Sequence, residues 1–190
     1  MTDFSYTTPN SQIENKNYLY PTRFKFTIAR APKAVFFATS APVPGMNLSI
    51  SKQPTGLGRD IPLPGNKLDM QAFDLRFIVD EDLTNYAEIN KWLRGLGAPE
   101  SLQQSYDLQL QDKNRYTNIN PQLNIYSDGT LQILNSNNRP NIQVKFYQMF
   151  PFDITPLVFD SAISSPDPFM ATVRFHYTYF ELLDKKGNLI

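Results

Sequence analysis

The chain has 190 residues, and its 18 basic and 18 acidic residues give a formal net charge of zero. A hydrophobic content of 41%, with 13% aromatic residues, predicts a packed core and excludes wholesale disorder. Zero net charge gives little general attraction to nucleic acid or anionic membranes and permits self-association, and the absence of cysteine excludes disulfides and thiolate metal sites.

The first part of the chain combines a polar arm with three predicted strands. Residues 1–21 are polar, so we expect an arm that is mobile or ordered by a partner, and their pattern is not that of a signal peptide. Alternating apolar residues predict a strand over Arg23–Ile28, and a more apolar run predicts another over Ala34–Thr39. The Pro44-Gly45 pair suits a type II turn, after which Asn47–Lys52 is a third strand candidate.

A segment rich in proline and glycine follows these strands. Because proline is excluded from central strands, Gln53–Asn66 is predicted to be a loop or an edge excursion. It nevertheless carries the apolar residues Leu57, Ile61 and Leu63. Such a loop either forms a contact surface or folds back on its own domain.

The next stretch predicts one long strand and one helix. Apolar residues change parity within Leu68–Val79, which indicates a bulge near Gln71–Phe73 and hence a curled sheet. Asp80-Glu81-Asp82 suits the start of a helix, where an aspartate can cap free backbone N–H groups. Gly95 or Gly97 is expected to end this helix. One apolar stripe, with the tryptophan beside it, predicts its packing face: Tyr86, Ile89, Trp92, Leu93 and Leu96.

The remainder of the chain is predicted to be mainly strand. Residues 100–128 are polar and read as a surface loop with room for a short helix. Thr130–Leu134 and Ile142–Phe146 flank a turn-rich segment and predict a β-hairpin. Further strands are expected over Ile154–Phe159 and from Ala171 to Tyr179.

These elements predict a single domain, and no second core or repeat is apparent. We place the domain at residues 22–183, with the arm at 1–21 before it, a polar insertion at about 100–128 within it and a tail at 184–190 after it.

No group of residues carries the pattern of a catalytic or metal site. His176 is the single histidine and is expected at a surface or an interface. The acidic run at Asp80 could hold a hard cation, but helix-start electrostatics explains it without one. Gly56-Leu57-Gly58-Arg59 lacks the spacing of a phosphate-binding loop. We therefore predict a protein that is not an enzyme and has no cofactor.

Three segments in this order carry a resemblance: IPLPGNK, AFDLRFIVDEDLTNYAEINKWLRGLG and FMATVRFHYTYFEL. Over Arg23 to Leu182 the chain resembles the tail-tube protein family of contractile-tailed, T4-like bacteriophages. The resemblance implies a mainly β (α+β) fold, in which two antiparallel sheets form a small curled barrel or sandwich with one flanking α-helix. In that family the loop before the main strand reaches the neighbouring ring. Here this loop is Ser49–Gly65, and the implied inter-ring contacts are Ile50, Leu57, Ile61 and Leu63.

The resemblance also implies a function. Six copies would form a ring, and stacked rings would form the inner tail tube through which DNA is ejected. The partners would be further copies, the tail sheath, baseplate or tube-end proteins, and DNA in transient, non-specific passage, with no membrane anchor. The protein would reside in the virion tail after assembly in the host cytoplasm. The arm, the insertion and the tail keep a second hypothesis open, that of a baseplate, tube-initiator or tail-completion protein. A carbohydrate-binding β-sandwich module is a remote third.

Overall fold

The fold is described from a computed structural model, which covers residues 19, 21–56, 58–110, 125–160 and 167–190. Most of the N-terminal arm, Leu57 and much of the polar insertion lie outside these described residues. In chain order the elements are β1 (Phe24–Ile28), α1 (Pro32–Phe36), β2 (Ala38–Ser40), β3 (Met46–Gln53), β4 (Ile61–Met70), β5 (Phe73–Ile78), α2 (Thr84–Gly97), α3 (Leu102–Leu110), β6 (Ser127–Leu134), β7 (Pro140–Ile154), β8 (Met170–His176) and β9 (Tyr179–Asp184). The predicted mainly β fold with a curled, barrel-like sheet is confirmed.

The main sheet is antiparallel, with strand order β1-β6-β7-β8-β5-β2, and β9 pairs with β7. The 15-residue strand β7 pairs with β6 and β9 along its first part and with β8 along its last part. Between these parts Gln148 has a φ of 55° and its N–H donates to the Asp128 carboxylate at 3.1 Å. The strand therefore changes direction at Gln148, and this bend curls the sheet.

Aromatic rings fill the centre of the curled sheet. Phe73 lies 4.9 Å from Phe26, 4.8 Å from Phe146 and 6.3 Å from Phe175, measured between ring centroids, and all four are buried. Each of them sits at an inward position of its strand. The alternation that predicted the strands thus supplies most of the core.

Helix α2 covers one flank of this core. Ile89 and Trp92 are buried, and the indole N–H of Trp92 donates to the Ile125 carbonyl at 3.0 Å. The other three residues of the stripe, Tyr86, Leu93 and Leu96, are partly buried against the core. None of the helices in the described segments is long and apolar enough to cross a membrane.

The predicted strand at Ala34–Thr39 is wrong in its first half, where α1 lies. Pro32 occupies the first turn of this helix, a position that suits its fixed φ. The backbone N–H groups of Lys33 and Ala34 donate to the carboxylate of Glu88 on α2, at 3.0 and 3.3 Å. A tertiary contact thus caps the short helix, and only Ala38–Ser40 remains as strand.

The predicted strand Leu68–Val79 is divided between two sheets. Its first residues belong to β4, and the predicted bulge site is where β4 ends and β5 begins. Of the two alternatives predicted for Gln53–Asn66, a loop or an edge excursion, the second describes its latter half, because β4 begins at Ile61 and pairs with β3 alone. Its prolines are tolerated there because β3 and β4 form a two-stranded sheet, in which both strands are edges.

Helix α2 begins at Thr84, later than its acidic run suggested. Leu83 adopts a left-handed conformation with φ 54°. The Asp80 carboxylate accepts hydrogen bonds from the Asn85 N–H, at 3.1 Å, and from the Thr84 hydroxyl. The predicted aspartate cap is confirmed, and it acts across a short loop.

Helix α2 ends at Gly97, one of the two glycines predicted to end it. Gly95 instead lies inside the helix, against Leu108 of α3. A Cβ at Gly95 would come within 2.8 Å of the Leu108 Cβ. Close approach of α3 explains this glycine.

The predicted hairpin is confirmed as β6 and β7, which are longer than expected. The strand predicted over Ile154–Phe159 is wrong, since Ile154 ends β7 and residues 155–160 lie in neither a strand nor a helix. The final predicted strand is divided at Tyr177–Thr178 into β8 and β9, which pair with different parts of β7.

Candidate assembly surface

The β3–β4 hairpin stands apart from the main sheet. In the described structure it forms its own two-stranded sheet, and every residue of β3 is exposed. At its base the Gln71 N–H donates to the Gly45 carbonyl at 3.1 Å. An isolated two-stranded ribbon is marginally stable in water, so an exposed apolar face on it suggests a partner.

One face of this hairpin is apolar. Side chains alternate along a strand, and the pairs Met46–Met70, Leu48–Leu68 and Ile50–Pro64 place these residues on one side. The exposed fractions are 57% for Met46, 46% for Leu48, 69% for Ile50 and 53% for Leu68. We call Met46, Leu48, Ile50 and Leu68 the hairpin apolar face.

The structure separates the predicted inter-ring residues. Ile50 lies on the hairpin apolar face, whereas Ile61 and Leu63 pair with Gln53 and Ser51 and lie on the opposite, mixed face. Leu57 falls outside the described residues. Sequence reasoning missed Met46, Leu48 and Leu68 as surface residues, although the spacing of Met46, Leu48 and Ile50 was a signal. The sequence alone could not show that this side of β3 is exposed and does not pack on a core.

A bulge fixes the relative positions of the two hairpin strands. The pairing shifts between Leu48 and Ile50, and the Ser49 hydroxyl accepts from the Lys67 N–H at 3.2 Å. A Cβ at Gly65 would lie 2.2 Å from the Ser49 Oγ and 2.6 Å from the Ser49 carbonyl oxygen. Glycine is therefore required here by the close approach of β3.

The main sheet has an open edge at β1. Among the described strands β1 pairs with β6 alone, so the backbone groups on its other side are available. Two cavities of about 400 and 320 Å³ adjoin this edge, and both are lined by Phe24. Phe36, on the larger cavity, is 81% exposed. We call the smaller cavity the β1 cleft, and its lining includes Leu19, Phe24, Ala41, Pro42, Val43 and Ile133.

The strand β9 carries the tail of the chain on its outer edge. After a turn at Asp184, Leu189 bridges to Leu183 and the Ile190 N–H donates to the Leu182 carbonyl at 3.0 Å. The Asp184 carboxylate accepts from the N–H groups of Asn188 and Lys186, which lowers the pKa of Asp184. Leu189 and Ile190 are each 70% exposed.

The outward face of the main sheet carries charges of both signs, and several of them are paired. Arg174 lies 3.8 Å from the Asp74 carboxylate and 3.5 Å from that of Asp153. The Tyr147 hydroxyl donates to Glu181 at 2.8 Å, which raises the pKa of Tyr147, and the Lys145 ammonium lies 4.6 Å from the centre of the Tyr147 ring. This pairing lowers the attraction of Arg174 and Lys145 for a polyanion.

Two other features of the described residues were candidates for a site. His176 is exposed and stacks on Phe152, with 4.1 Å between ring centroids. A groove of about 490 Å³ between α2 and α3 is lined by both polar and apolar residues. Across the described residues, no three His, Cys, Asp or Glu side chains are grouped so that they could hold a metal ion.

Comparisons with known proteins show the family and the fold of this chain. The tail tube terminator protein of Enterobacteria phage T4 is 28% identical over 157 residues, which is 80% of each chain. The anti-feeding prophage tube-terminating cap has a similar fold, with a TM-score of 0.57, 16% identity, and coverage of 95% of this chain and 99% of that one. The sheath/tube terminator structure of an extracellular contractile injection system gives a TM-score of 0.52, 15% identity, and coverage of 88% and 99%. The family model described as phage tail tube protein matches residues 7–182, so the chain belongs to the phage tail tube protein family, whose proteins are structural components of the virion tail.

Proposed function

We propose that this chain forms a ring at one end of the tail tube and terminates it. The observation that carries the proposal is the 28% identity to a tail tube terminator over most of both chains. This is the second hypothesis from the sequence, and it fits better than a protein that repeats along the tube body. The similar fold of a tube cap and of a tube terminator is compatible with it.

The ring would close through the edges of the main sheet. The strands β1, β6, β7 and β9 form a four-stranded antiparallel unit with β1 at one side and β9 at the other. Pairing of this side in one copy with β1 in the next, through residues 179–181 of β9 and the tail that covers the rest of its outer edge, satisfies backbone groups that each subunit leaves open. The number of copies, six in the family, is part of the proposal.

The hairpin apolar face would dock on the last ring of the tube. Its four apolar side chains are exposed in the subunit, and burying them against another ring removes apolar surface from water. A terminator needs this contact on one side only, because its other side must not accept a further tube ring. The tail sheath or its end protein would surround the same ring.

DNA would pass along the outward face of the main sheet. Phosphate binding needs unopposed lysine and arginine, whereas Arg174 here faces Asp74 and Asp153. A charge-balanced wall permits transient passage without retention. Passage of DNA along this face would require no catalysis by the protein. The carbohydrate-binding alternative loses its main ligand candidate, because Trp92 is buried.

Negative-stain microscopy with the tube protein of the same phage tests this function. The purified chain should form single rings, and adding it in small amounts to polymerising tube protein should shorten the tubes and leave a ring at one end. If the purified chain itself polymerises into long open tubes, the terminator proposal is wrong and the tube-body reading returns.

A further inference from the structure

We propose that the tail of one copy inserts the side chain of Ile190 into the β1 cleft of the neighbouring copy. The proposal rests on the ring of the proposed function and adds a contact to it. It names a surface, the β1 cleft, and its occupant, a second copy of this chain. The support comes from exposure, from cavity lining and from strand register.

The β1 cleft is suited to apolar side chains. Its volume of about 320 Å³ lies near the lower limit of ordinary binding pockets, and its walls include Phe24, Val43 and Ile133. Val43 is 45% exposed, so part of the wall contacts water in the subunit. The adjacent edge of β1 offers backbone groups that a further extended segment can pair with.

The tail presents apolar side chains on a fixed support. The Asp184 carboxylate holds the turn, and pairing with β9 holds Leu189 and Ile190 in an extended form. Both side chains are 70% exposed even though their backbone is tied to the sheet. Little backbone freedom is therefore lost when Ile190 is buried by a neighbour.

Strand register places the tail and the β1 cleft at the same end of the sheet. Phe24 pairs with Ile133, Ile133 pairs with Ile142, and Ile142 pairs with Asp184, so these four residues form one row across the sheet. The cleft lies beside Phe24 at one end of this row, and the tail begins at Asp184 at the other end. Because the tail lies on the outer edge of β9 in this row, placing that edge beside β1 of the next copy brings the tail to the cleft. Ile190 lies opposite Leu182 and therefore points to the same face of the sheet as Asp184 and Phe24, whereas Leu189 points to the other face.

Cysteine pairing tests this contact directly, because the natural chain contains no cysteine. One preparation carries Val43→Cys and another carries Ile190→Cys. They are mixed under conditions in which microscopy shows rings, and then oxidised. A disulfide-linked dimer in the mixture, and in neither preparation alone, is expected. Rings without this dimer would overturn the inference while leaving the proposed function intact.

Two further variants complete the test. Pairing Leu63→Cys with Ile190→Cys is the matched control, since Leu63 is 42% exposed but lies on the hairpin, and it should give no dimer. A chain carrying both Val43→Cys and Ile190→Cys must not form the disulfide within a monomer, because that would place the tail in its own cleft and contradict the proposal. Ile190→Ser should weaken ring formation about tenfold without changing the subunit's melting temperature, whereas Leu189→Ser, on the opposite face, should leave ring formation unchanged.

Discussion

Replacing Leu48 and Ile50 by serine tests the hairpin apolar face most directly. The two side chains are 46% and 69% exposed, so together they offer about one complete side chain for burial. Complete burial of a leucine or isoleucine side chain is worth about 1.5–3 kcal/mol. The double variant should therefore bind tube ends roughly 10- to 150-fold more weakly per subunit contact. Its own stability should change by less than about 0.5 kcal/mol per site, because both sites are exposed.

The assay counts capped tube ends by electron microscopy as the concentration of the terminating chain is raised. Val158→Ser is the matched control, since Val158 is 67% exposed but is not part of the hairpin, and it should cap as wild type does. Circular dichroism melting confirms that each variant is folded. Capping by the Leu48/Ile50 variant at wild-type concentrations would refute the assignment of this face to the tube contact.

Three further predictions concern the scaffold. Trp92→Ala should destabilise the subunit by about 3–5 kcal/mol in urea unfolding, because it leaves a cavity and removes the indole hydrogen bond. Gly95→Ala should cost about 1–3 kcal/mol by pushing α3 away, whereas Gly97→Ala, with open space around it, should cost little in the same experiment. Hydrogen bonds from Thr84 and Asn85 lower the pKa of Asp80, so its stabilising effect is present above its unfolded pKa, about 3.9, and is lost as pH falls through the lower folded pKa. Asp80→Asn should flatten the fall in melting temperature between about pH 5 and pH 2.

Each scaffold prediction has a clear contrary result. Equal stability of the Gly95→Ala and Gly97→Ala variants would mean that α3 relaxes without cost. If the Trp92→Ala variant unfolds at the same urea concentration as the wild type, the indole does not stabilise the core. An unchanged acid response in Asp80→Asn would assign the pH dependence to other carboxylates, such as Asp184.

Local signals predicted the elements that form the core. The alternation of Phe24, Phe26 and Ile28 gave β1, and the stripe of α2 gave the helix that covers the barrel flank. These patterns succeed because a residue's place in the chain determines which side of its strand or helix it lies on. The pattern repeats every two residues in a strand and every 3.6 residues in a helix. The family resemblance rested on the same patterns taken in order.

The misses share a different cause. The first turn of α1 is capped by Glu88, a residue 55 positions along the chain from Lys33, and no local pattern contains that contact. The bulge predicted near Gln71 is the point at which the chain leaves the hairpin for the main sheet, and parity alone cannot distinguish the two. Ile50 and Leu63 were grouped as one contact surface, but strand pairing places them on opposite faces.

The sequence alone therefore determined a β-rich core with one flanking helix, and the family, because burial of alternating apolar residues depends on local order. Tertiary structure decided which apolar residues remain exposed. A run such as Met46, Leu48 and Ile50 is the same whether it faces a core or water, and only the position of β3–β4 outside the main sheet makes it a surface. Tertiary structure likewise placed the tail at one end of a strand row and the β1 cleft at the other, since pairing across β6 and β7 joins residues far apart in the chain.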